Sequence, residues 1–314
     1  MSWISVIYCL VIFINFITFI LGTSSLSSSL ISSRTADIQM NNETIANRIV
    51  GGESISIEAM PFMVSIQWRH EFSHHCGGSY IKPSFVLTAA HCLVRNSGVH
   101  WTPEDYNAFV VMAGSSNLGY SPTWQIRNVE WIIPHPKFTF RPMTHDIGLV
   151  KIVKPFRLTR YVNFLPVPSF YDHTLFNDPK ICTVSGWGRT ANRYDPMVLR
   201  HVNVPLMQMA QCKEYLGASF SSEQICAGRL EGGVDACQGD SGGPLICDGK
   251  QVGLVSWGYG CAEPYSPGAY TRVDLYLNWI HQYTLKRSSS ASVMLSYNIF
   301  AIIIFALLFN IISS

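Results

Sequence analysis

The sequence lacks any surplus of one charge: 22 Lys and Arg stand against 20 Asp and Glu in 314 residues. A nucleic-acid binder needs a basic excess, so that class is excluded. The balance leaves the substrate open, because one buried carboxylate can set specificity without moving the total. No Cys-x-x-Cys pair occurs, which removes the usual zinc and redox motifs. No internal repeat is visible. No Lys or Arg precedes the first apolar run, residues 4–21, and that run is long for the core of a secretory signal.

What is present begins with that run. Gly22 and Ser24 offer the small residues a signal peptidase reads, so residues 1–23 are taken as a signal peptide; an uncleaved N-terminal anchor is the alternative. Residues 24–48 are Ser-rich and aperiodic, as expected of a propeptide. They contain the sequon Asn42-Glu43-Thr44. Of nine Cys, one is Cys9 in the leader. The others are Cys76, Cys92, Cys182, Cys212, Cys226, Cys237, Cys247 and Cys261. An even set at wide spacing behind an apolar leader reads as disulfides formed in an oxidising compartment. Buried free thiols are the bland alternative.

The stretch between the hydrophobic ends is long enough for one all-β domain with a sizeable core. Residues 62–67, 110–112, 125–133, 147–153 and 252–257 are short and rich in β-branched or aromatic types, with Gly, Pro and Asn between them. They predict antiparallel strands in a sandwich or barrel. Asp274 reads as the N-cap of a late packing helix whose apolar stripe is Leu277, Trp279, Ile280 and Tyr283.

The chemistry centres on Gly239-Asp240-Ser241-Gly242-Gly243-Pro244. Its glycines let a carbonyl approach the Ser241 hydroxyl, and the amides of Gly239 and Ser241 could converge on an oxyanion. A serine needs a base to become a nucleophile. His91, in Thr88-Ala89-Ala90-His91-Cys92, is the candidate, and Asp146, at the start of an apolar strand, is its natural partner. Taken singly, the His reads as an ordinary core or surface residue and the Asp as a turn residue.

Together with Arg48-Ile49-Val50-Gly51-Gly52, Gly186-Trp187-Gly188, Asp235-Ala236-Cys237-Gln238 and Val255-Ser256-Trp257-Gly258, these motifs resemble the chymotrypsin/trypsin family of serine proteases over residues 49–284. The resemblance implies two perpendicular six-stranded antiparallel β-barrels with a C-terminal helix and a catalytic cleft between the barrels. His91, Asp146 and Ser241 would be the triad, with Ser256 bonded to Asp146. It implies the pairings Cys76–Cys92, Cys182–Cys247, Cys212–Cys226 and Cys237–Cys261. It implies a zymogen cut after Arg48, with the new Ile49 amine pairing with Asp240, and no cofactor. It also implies a pocket based on Asp235, open between Gly258 and Gly268 and flanked by Ser256 and Trp257. Such a pocket takes Arg or Lys before the scissile bond. Ala236 replaces a hydroxyl that would solvate Lys, so Arg is expected over Lys. Partners would be protein or peptide substrates and protein protease inhibitors.

Two stretches depart from the family. Residues 115–123 have no carboxylates, so no calcium is expected there. Residues 93–108, carrying Arg95, His100, Trp101, Glu104, Asp105 and Tyr106, form a stretch beside His91 that is longer than in the family by about ten residues. It is either a tolerated surface loop or a rim that restricts substrates and inhibitors. The peptidase domain is placed at 49–287. Residues 288–314 supply small residues, a spacer and a terminal apolar segment, as in a GPI-attachment signal. A transmembrane tail is the rival, without basic residues after it. The protein is expected in the secretory pathway, on the outer cell surface. A protease-like binding protein without catalysis and a membrane-bound adhesion protein are the competing functions.

Overall fold

A computed structural model of the chain describes residues 52–96, 101–172, 174–189, 197–233 and 238–285. The leader, Asn42, Arg48, Ile49, His100, Asp235, Ala236, Cys237 and the tail from 286 onward lie outside the described residues.

In chain order the strands of the first half are β1 (Glu53–Ser54), β2 (Met63–Trp68), β3 (Ser73–Lys82), β4 (Phe85–Thr88), β5 (Val94–Asn96), β6 (Trp101–Pro103), β7 (Phe109–Ala113), β8 (Gln125–Pro134), β9 (Thr139–Phe140), β10 (Met143–Thr144) and β11 (Gly148–Ile152). Six of them close a barrel in the order β11-β4-β3-β2-β7-β8. Every pairing is antiparallel, and between β3 and β4 a tight turn at Ser84, φ 64°, lets the chain double back. Val64, Ile66, Tyr80, Val86, Phe109, Val111 and Val150 fill its interior. These β-branched and aromatic side chains suit a pleated, buried surface.

The second half contributes β12 (Ile181–Gly186), β13 (Arg200–Pro205), β14 (Gln224–Ala227), β15 (Pro244–Cys247), β16 (Lys250–Trp257) and β17 (Gly268–Arg272). Their order is β1-β13-β12-β15-β16-β17-β14. The six strands of the second half thus gain a seventh, because β1 pairs Glu53 with His201 and Ser54 with Arg200 along an open edge. The ends of the six approach each other at the Leu206–Ala227 bridge, where Met207 N–H donates to Cys226 O at 3.0 Å. Short helices complete the fold: α1 (Met209–Leu216) and α2 (Leu277–Leu285).

α2 sits where the sequence placed a late helix, but Asp274 does not cap it. Its carboxylate is taken by Arg272, through Nε at 2.7 Å and Nη2 at 2.8 Å, and by the Asp172 amide at 2.9 Å. A buried guanidinium needs a carboxylate more than a helix end needs a cap, because an unpaired buried charge is costly. A 3-10 turn, Val273–Tyr276, therefore precedes the helix. Ile81, Phe85, Leu87, Ile147 and Leu149 from the first half pack with Leu254, Val273, Tyr276 and Ile280 from the second. This shared core fixes the two halves along one seam.

Candidate active site

His91 lies in a 3-10 turn, Ala90–Leu93, directly after β4. Three short hydrogen bonds converge on the Asp146 carboxylate, which is fully buried. His91 donates to it twice, from its backbone N–H at 2.9 Å and from ring Nδ1 at 2.7 Å. The Ser256 hydroxyl, from β16, donates at 2.5 Å. Thr271, on β17, donates to the Asp146 carbonyl at 2.8 Å. Asp146 belongs to the first half and two of its holders to the second, so its position depends on the seam.

Burial alone would lower the His91 pKa, but the Asp146 charge and hydrogen bond outweigh it and leave the ring more basic than usual. Burial alone would push the Asp146 carboxyl up. The His91 charge and the bonds from His91 and Ser256 reverse that and hold it below the usual range. With Nδ1 committed to the carboxylate, Nε2 is the ring position able to take a proton.

Ser241 is bound to the same neighbourhood through its backbone. Gly77 N–H, on β3, donates to the Ser241 carbonyl at 2.9 Å. That carbonyl is 3.8 Å from Cys92 Sγ. Gly239 has φ +96°, a conformation that glycine adopts freely. Among the described residues, neither the Gly239 nor the Ser241 amide has a hydrogen-bond partner, so both can serve an incoming acceptor. Asp240 between them is fully buried and accepts from Gly188 N–H at 2.8 Å. A Cβ on Gly186 or Gly188 would strike its carboxylate, which explains glycine on both sides of Trp187.

A pocket of about 270 Å³ opens beside Ser241, lined by Gln238, Ser256, Trp257, Gly258 and Gly268 among others. A Cβ added to Gly258 would point at Gly268 Cα, 3.9 Å away, and narrow the opening. Asp235 and Ala236, expected at its base, lie outside the described residues, as do Arg48 and Ile49.

Disulfides join Cys76–Cys92, Cys182–Cys247 and Cys212–Cys226. Cys261 is also disulfide-bonded, and its expected partner Cys237 is outside the described residues. Cys76, His91 and Cys92 bring ligand atoms within 4.8 Å of one another, but both sulfurs are spent on their mutual bond and do not offer a metal site.

The sequence reading missed His74 and His75. Successive residues of a strand face opposite ways, so these two serve different halves. His74 Nε2 lies 2.8 Å from the Gly239 carbonyl, which can only accept, so this nitrogen donates. In the neutral ring Nδ1 then accepts from Ser65 Oγ at 2.7 Å. His75 Nε2 donates to the Cys92 carbonyl at 2.9 Å. The signal available was their position, two imidazoles beside Cys76.

The insertion after His91 forms the β5–β6 hairpin. Arg95 pairs with Glu104 through Nε at 3.2 Å and Nη2 at 2.7 Å. Trp101 Nε1 donates to the Phe138 carbonyl at 2.8 Å. The carboxylate-free 115–123 stretch is held by its own bonds, such as Thr123 Oγ1 to Gly114 O at 2.7 Å.

The family model described as Trypsin matches residues 49–280. The chain is 36% identical to a trypsin of Squalus acanthias over 237 residues, 75% of this chain and 96% of the relative. It is 36% identical to a trypsin of Sus scrofa over 238 residues, 75% of this chain and 95% of the relative. It is likewise 36% identical to Trypsin I-P1 of Gallus gallus over 236 residues, 74% and 88% of the two chains.

Proposed function

The chain belongs to the trypsin family and is a serine protease, and we propose that it is an endopeptidase that cuts after Arg in preference to Lys once activated by cleavage after Arg48. The observation that carries the reading is the 2.7 Å bond from His91 Nδ1 to the buried Asp146, which leaves Nε2 free for proton transfer. Ser241 attacks the peptide carbonyl as His91 takes its proton. The Gly239 and Ser241 amides hold the oxyanion, and Asp146 stabilises the imidazolium. The ring then protonates the leaving amine, and water, deprotonated by His91, releases the acyl group.

Asp235 in the pocket base pairs with the substrate guanidinium, and Ala236 disfavours Lys. Activation brings the Ile49 amine to Asp240, whose burial supports an internal partner of opposite charge. The leader places the chain in the secretory pathway. The segment from Ser288 onward carries a signal whose apolar tail is removed and exchanged for a GPI anchor, which holds the protein at the cell surface.

A fluorophosphonate probe tests the reading. Chain cut after Arg48 should be labelled, while uncut chain and Ser241→Ala should not. Absence of labelling in the cut chain would return it to a protease-like binding protein.

A further inference from the structure

A second concavity, of about 570 Å³, lies where the start of β8 meets residues 157–161. None of its lining residues lines the pocket beside Ser241. Its floor and walls combine Trp124, Ile126 and Tyr161 with Arg127 and Arg157. The two chain segments that build it carry no Asp or Glu: none occurs from Tyr106 to Val129, and none from Ile147 to Tyr171. They do carry Arg127, Lys154, Arg157 and Arg160, while Lys151 is paired with Glu130 at 3.0 Å.

The charges are placed by the backbone. Gln125 accepts from the Arg157 amide at 2.9 Å through Oε1 and donates to the Arg157 carbonyl at 2.8 Å through Nε2, clamping that residue to β8. Arg127 is fixed by bonds to the Pro155 and Ile126 carbonyls and the Gln125 side chain, and it lies 5.0 Å over the Phe156 ring. Arg160 meets one carboxylate, Glu58, at 3.5 Å. The Arg157 side chain is exposed and has no hydrogen bond or ion pair among the described residues. Apolar surface adjoins these charges: Tyr120 is 82% exposed, and Leu158 is 51% exposed. Isolated cation clusters serve any polyanion, but a cation cluster set among exposed aromatic and aliphatic side chains suits a chain that offers both anions and apolar groups.

We propose that this groove docks an acidic peptide segment bearing aromatic or aliphatic residues, separately from the pocket beside Ser241. The carboxylates would meet Arg157 and Arg127, and the apolar side chain would lie against Trp124. The proposal does not depend on the activity proposed above, and its test reads binding alone.

A fluorescein-labelled peptide repeating Glu-Glu-Phe is titrated with the full chain and followed by anisotropy. Binding is expected to weaken by at least about tenfold in Arg157→Glu, and to weaken with added salt. Arg157→Gln, which adds no repulsion, should lose part of the same affinity. The melting temperature of both variants should match the parent, because the Arg157 side chain makes no hydrogen bond or ion pair among the described residues and its backbone bonds to Gln125 are kept. Equal affinity of parent and Arg157→Glu would overturn the proposal. So would equal binding of a Gln-Gln-Phe control. A heparin fragment that binds in an Arg157-dependent way while the peptide does not would also overturn it and reassign the groove to a polysaccharide.

Discussion

At the scale of single residues, the proposed chemistry turns on which form of His91 is present. Proton abstraction needs the neutral ring, and the Asp146 charge makes that ring harder to deprotonate. Activity should therefore fall with acidification through a midpoint above the ordinary imidazole value of 6.5. A pH profile of kcat/KM measures this; a midpoint at or below that value would contradict the raised basicity. Asp146→Asn removes the charge and should cost about ten-thousandfold in kcat, the size that substitution has in the family's own template triad. His91 and Asp146 were legible only in combination with the Ser241 motif and the family resemblance, since each alone reads as an ordinary residue. The bonds from Thr271 to Asp146 and from His74 to Gly239 were not, since they span 125 and 165 residues. No local pattern encodes such a distance.

At the scale of elements, the Cys76–Cys92 bond ties the 3-10 turn of His91 to β3 across 16 residues. Replacing both by Ala should cost about 3 kcal/mol, the loop-closure value for a ring of that length, as read by urea unfolding. The kcat/KM of the folded variant should fall as well, because His75 and the disulfide together position the segment carrying His91. Enrichment in β-branched and aromatic residues made five strands legible: β2, β7, β8, β11 and β16 fall within a few residues of the expected runs, whereas the ten-residue β3 and the six-residue β12 and β13 were not anticipated. The two-residue strands β1, β9 and β10 carry too few side chains for any periodicity. Their partners lie elsewhere in the chain or across a tight turn. Asp274 was misread because its contest between a helix end and Arg272 is decided by tertiary burial.

At the scale of the whole molecule, α2 closes the seam. Ile280 is fully buried among residues of both halves, and Lys82 Nζ donates to Thr284 Oγ1 at 3.2 Å. Ile280→Ala should cost about 2–5 kcal/mol, the range for emptying a buried aliphatic site. Calorimetry should show both halves melting together at a lower temperature; two separate transitions, of which only one moves, would show that the halves are independent. The motifs made the two-barrel plan legible, while composition alone gave only an all-β domain. The basic groove was not legible, since it needs Arg127 and Arg157, 30 positions apart, brought together by Gln125.

The Cys76-Gly77 dipeptide acts as a common datum for the reacting groups. Cys76 grips Cys92, next to His91, and Gly77 grips the Ser241 carbonyl. The proposed base and nucleophile are thus both measured from one short piece of β3. A small displacement of the second half would carry tolerance error into the pocket wall at Trp257 and Gly258 sooner than into the spacing between His91 and Ser241. Substrate preference should accordingly drift more readily than reactivity as sequences of this kind diverge.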